Sequence, residues 1–63
     1  MLSYYQTILS KVSFDKLLFR KELQKALKTL SDIEQEYLYI WCYKKFGNIY
    51  ADILEECFNK VLV

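Results

Sequence analysis

Proline is absent from this chain and glycine occurs once, at position 47. A β sandwich or barrel turns its chain about every ten residues and draws on Gly, Pro, Asn and Asp to do so. A sequence with no proline and a single glycine has few ways to fold except as helices separated by side-chain caps. With 63 residues there is room for one domain, spanning 1–63. Aromatic residues make up 17% of the chain and its net charge is +1, which excludes the composition of a disordered segment.

Local signals punctuate four helical segments, at about 4–12, 16–29, 32–46 and 49–62. Ser3 to Gln6 has capping-box spacing, which predicts a first helix with Tyr5, Ile8, Leu9 and Val12 on one face. Asp15 is the better cap of the second helix, with Phe14 and Phe19 spaced for a hydrophobic staple. Phe19, Leu23, Ala26, Leu27 and Leu30 then share one face, opposite Arg20, Lys21, Gln24, Lys25 and Lys28. Leu17 and Leu18 lie off that face, where the first helix could cover them. Ser31 to Glu34 is a second capping box, and Asp32, Glu34 and Glu36 suit the positive end of the helix dipole. Gly47 sits where a left-handed residue would stop the third helix, and Asn48 can cap a fourth. The expectation is an all-α, compact three- to four-helix bundle. Its expected core is Phe19, Leu23, Leu27, Leu30, Ile33, Tyr37, Ile40, Trp41, Ile53, Leu54 and Phe58.

A domain this small buries only about 60% of its unfolded surface and usually needs a disulfide, a metal or a partner chain. Cys42 and Cys57 lie fifteen apart with no CxxC pair, and the chain has no His, so no zinc set can be assembled. The thiols read as buried and reduced. Association is the remaining help. The opening residues lack a basic stretch followed by an apolar one, and Tyr37–Tyr43 is far short of the roughly 20 apolar residues that span a bilayer. A cytoplasmic protein is expected.

The third helix is apolar or aromatic on every side from Tyr37 to Tyr43. Tyr and Trp combine large contact area with a polar tip, which serves a core and an interface equally well. Tyr37, Tyr39, Trp41, Tyr43, Phe46 and Tyr50 are therefore the candidate protein interface, for a second copy or another protein. Arg20, Lys21, Lys25 and Lys28 form a basic strip, the alternative being a nucleic-acid-associated regulator. The six acids of residues 32–63 weigh against that alternative, because they repel the same phosphate backbone. Without His, a Cys or Ser nucleophile lacks its usual base, and no glycine-rich loop exists to hold a phosphate. A non-catalytic interaction module without cofactor is the expected function.

Ile8-Leu9, Lys11-Val12-Ser13-Phe14-Asp15-Lys16, Leu18-Phe19, Lys21-Glu22-Leu23, and Trp41-Cys42 followed by Lys45-Phe46-Gly47 form a pattern over residues 8–47. It resembles short hypothetical proteins common in Bacteroidetes-type bacteria. The Val-Ser-Phe-Asp and Trp-Cys…Phe-Gly pieces carry the resemblance, and the rest is ordinary amphipathic helix. It implies a helical bacterial protein and assigns no site residues.

Overall fold

A computed structural model describes the backbone of residues 1–62 and the side chains through Asn59. The described residues form three helices, α1 (Leu2–Lys11), α2 (Lys16–Thr29) and α3 (Asp32–Leu62), and no strand. At about 1.5 Å per residue, a straight helix the length of α3 would reach about 46 Å. The molecule measures only 26 × 23 × 19 Å. The difference is taken up at Tyr50, whose φ of −123° and ψ of 29° lie outside the helical region. α3 is thus two limbs, 32–49 and 51–62, meeting at a bend. No helix among the described residues is long and apolar enough to cross a membrane.

The caps explain where two of the helices begin. Asp15 accepts from the amides of Leu17 and Leu18 at 3.0 and 3.2 Å. At the start of α3, Ser31 Oγ accepts from the Glu34 amide, and the Glu34 carboxylate accepts in return from the Ser31 amide at 3.1 Å. α1 departs from expectation. It begins at Leu2, capped by Met1 without a side-chain bond, so the Ser3–Gln6 capping box does not form. Leu2 packs against the core and draws the helix start toward the N-terminus. The staple is also absent, because Phe19 is buried while Phe14 stands 81% exposed. Leu17 and Leu18 likewise remain exposed.

Gly47 does not stop the third helix. No described residue, glycine included, has positive φ, and the chain passes through 47 in helical form. The break comes at Tyr50, whose ring stacks on Phe19 at 4.7 Å and whose hydroxyl donates to the Ser13 carbonyl. A buried aromatic tied to the α1–α2 turn decides where the helix bends. A Cβ added at Gly47 would meet only Tyr43 Cδ1, at the ordinary contact distance of 3.5 Å. Gly47→Ala is therefore expected to stabilise the fold by about 0.5–1 kcal/mol, from the backbone entropy that glycine loses in a helix. Urea unfolding measures this, and a loss of stability would mean that residue 47 needs a glycine conformation.

The core is shared by all three helices: Tyr5 and Leu9, then Phe19, Leu23, Ala26 and Leu30, then Leu38, Cys42, Phe46, Tyr50, Ile53, Leu54, Cys57 and Phe58. Phe19 is its centre, with Phe46 edge-on at 5.0 Å and Tyr50 tilted against it. Leu27 and Trp41 pack against this cluster but are only partly buried. Ile33, Tyr37 and Ile40, expected in the core, point outward. Leu38, Cys42, Phe46 and Tyr50 take the inward positions instead. In a segment apolar on all sides, a helical wheel gives no preference for either face. The polar Gln35 decides it, being buried and donating to the Leu27 and Leu30 carbonyls at 3.0 and 2.8 Å.

Candidate functional site

The first limb of α3 carries the feature that ordinary folding does not explain. At about 100° per residue, Ile33, Tyr37, Ile40 and Lys44 fall within about 60° of one another. Leu38, Cys42 and Phe46 occupy the opposite side and are buried. The line pointing directly away from the core, where a surface helix normally places charge, thus holds three large apolar side chains. Ile33 is 66% exposed, Tyr37 60% and Ile40 53%. Glu36 and Lys44, both exposed, flank this stripe at its two ends. Neither is in an ion pair among the described residues, where the pairs are Lys16–Asp52, Arg20–Glu56 and Lys25–Glu22.

The six candidate interface residues separate into four groups. Tyr37 lies on the outward stripe. Trp41 is half-buried at its edge, with the Lys45 ammonium 5.4 Å from its ring and Phe46 edge-on at 5.5 Å. Tyr39 and Tyr43 meet at a tilt of 57° with ring centres 4.8 Å apart and, with Glu55, Phe58 and Asn59, line an open groove of about 460 Å³. Partial desolvation, then the neighbouring Tyr39 and Glu55, hold the Tyr43 phenol above its ordinary value. Phe46 and Tyr50 are core residues, so the folded chain presents neither of them as interface. Ile33 and Ile40 are the surface residues that sequence reasoning assigned to the core. The signal that could have placed them outward was Gln35, the residue on the reverse side whose amide is needed at the end of α2.

Half of the basic strip is engaged within the chain. Lys16 and Arg20, one turn apart, meet Asp52 and Glu56, one turn apart on the second limb of α3. These two rungs lay α2 alongside that limb and use the basic first half against the acidic second. Of the candidate strip, Arg20 is held by Glu56, and Lys25 lies 3.4 Å from Glu22. Lys21 and Lys28 are exposed without an ion pair among the described residues.

Both cysteines are buried, and burial, then the nearby Cys57, pushes the Cys42 thiol up to about 12. Raised from an ordinary value of 9.0, the thiol holds little thiolate at neutral pH. Cys42 is a structural side chain and a poor nucleophile. Its reaction with a thiol reagent is expected to proceed only through opening of the fold, slowing at least a hundredfold relative to the urea-unfolded chain. Reaction at the unfolded rate would contradict the burial.

The titrations also set a pH window. Ser31 holds Glu34 below its ordinary value of 4.5, mainly through its backbone amide, and Lys16 does the same for Asp52 from 3.8. A carboxyl lowered in the fold contributes stability above its unfolded value, lost as pH falls through the folded one. Cys42, raised in the fold, contributes stability below about 9 that is lost as pH climbs toward 12. The urea midpoint is therefore expected to be level between about pH 5 and 9 and to fall on both sides. A midpoint still rising above pH 9 would contradict this.

No protein-family model, curated protein or solved structure matches the chain.

Proposed function

We propose that this protein is a non-catalytic interaction module of the cytoplasm, which docks the outward face of the first α3 limb against another protein chain, either a second copy or a different protein. The observation that carries the reading is the apolar stripe of Ile33, Tyr37 and Ile40, turned directly away from the core. The fold does not require those side chains, since Leu38, Cys42 and Phe46 already fill the inward side of the same turns. Contiguous exposed apolar surface rimmed by polar residues is a mark of an interaction site. Trp41 at its edge adds an aromatic with a polar tip, the side-chain type enriched at binding hot spots. The intramolecular pairing of Arg20 and Lys16 with acids of α3 weighs against a polyanion partner, because it places carboxylates beside the basic strip.

A combined Ile33→Gln, Tyr37→Gln, Ile40→Gln variant separates folding from docking. Its melting midpoint by circular dichroism is expected to equal or exceed that of the wild type, since none of the three is in the core. Association, read by light scattering for self-assembly and by co-purification for another chain, is expected to disappear. A melting midpoint lowered as far as a core deletion would, or association unchanged, would overturn the reading.

A further inference from the structure

Resting on the reading of that face as a docking surface, we infer that its occupant is a second copy of this chain, packed antiparallel about a twofold axis between Tyr37 and Ile40. The spacing 33, 37, 40, 44 alternates four and three residues, the register of a helix-pairing seam. The charges along it are not uniform. Asp32 and Glu36 mark the N-terminal end of the stripe, and Lys44 the C-terminal end.

A parallel copy would set Lys44 on Lys44 and Glu36 on Glu36. An antiparallel copy brings Tyr37 against Ile40 of the other chain, twice. It lays Ile33 along the aliphatic stem of Lys44 of the other chain, also twice. Each Lys44 ammonium then lies within reach of Asp32 and Glu36 of the other copy, and three exposed charges without an ion pair among the described residues gain partners. One self-complementary patch repeated by a twofold axis is the commonest form of homo-oligomer, and opposed helix dipoles favour the same orientation. A seam this short falls well below the about 800 Å² per partner of a standard interface, so the dimer is a weak one that forms at high micromolar concentration.

Sedimentation equilibrium of the wild type, Glu36→Lys, Lys44→Glu and the double variant tests the arrangement, with circular dichroism confirming that each is folded. Each single reversal is expected to weaken dimerisation about tenfold, because it acts twice across the axis. The double variant is expected to recover most of that loss but not all of it, because the unchanged Asp32 then opposes the carboxylate placed at position 44. Single reversals without effect, or a double variant no better than either single, would overturn the antiparallel pairing. A wild type that stays monomeric up to millimolar concentration would overturn the second copy as occupant. The docking reading itself would still stand if the triple glutamine variant loses a different protein that the wild type retains, and would fall if both retain it equally.

Discussion

Replacing Gln35 by glutamate is expected to destabilise the fold by about 3–5 kcal/mol at neutral pH, enough to unfold most of a domain this size. Gln35 is 7% exposed, and its Nε2 donates to two carbonyls at the C-terminal end of α2. Those carbonyls belong to the last turn, where a helix cannot satisfy its own acceptors. A glutamate has the same shape but carries only acceptors when ionised. It would bury a charge against two carbonyl oxygens.

The pH dependence identifies this cause. The new carboxyl is raised in the folded state above its unfolded value of about 4.3, so its destabilising effect shrinks as pH falls toward that value and the group becomes a donor. The wild type loses stability over the same descent, because Glu34 and Asp52 are lowered. Urea midpoints of wild type and variant should therefore converge between pH 7 and 4. Gln35→Met, which loses the hydrogen bonds without adding charge, is expected to cost about 1–3 kcal/mol with no convergence. Parallel pH curves for wild type and Gln35→Glu would mean that position 35 is not buried against the end of α2.

Phe19→Ala has the second large effect. Phe19 is fully buried, and its ring meets both Phe46 on the first limb of α3 and Tyr50 at the bend. Deleting a buried phenylalanine costs about 3–5 kcal/mol in lost burial and cavity formation. A 63-residue domain has about 3–5 kcal/mol in total. The variant is expected to be largely unfolded at 25 °C. Trp41 reports this directly, being the only tryptophan and packed on Phe46. Loss of its native fluorescence together with helicity is the expected result, while Phe19→Leu should remain folded. A folded Phe19→Ala would contradict the central position of this ring.

Much of the fold was legible because its determinants are local. Asp15 and the Ser31–Glu34 pair cap the helices they were expected to cap, since each acts within one turn. Phe19, Leu23, Leu30, Ile53, Leu54 and Phe58 are buried as their spacing on an amphipathic helix implied. The errors came where a distant contact decides. Gly47 carries the local mark of a helix stop, but the bend is set at Tyr50 by a hydrogen bond to Ser13, 37 residues away in sequence. Residues 37–43 are apolar on both sides, so periodicity could not say which side faced inward. That choice followed from Gln35 reaching the end of α2, a contact no wheel displays. The candidate site inherited the same ambiguity. Tyr37, whose aromatic character suits both core and interface, lies outside, whereas Phe46 and Tyr50, expected at the interface, lie inside.

Isoleucine methyl NMR with a soluble paramagnetic agent tests most directly that the α3 stripe stands outside the fold and is covered on association. Ile53 is a buried reference and Ile49 an exposed one distant from the stripe. At low micromolar concentration Ile33 and Ile40 should broaden like Ile49. As concentration rises they should become protected toward the behaviour of Ile53, while Ile49 stays exposed. Ile33 and Ile40 protected like Ile53 at every dilution, or broadened like Ile49 at every concentration, would contradict the account.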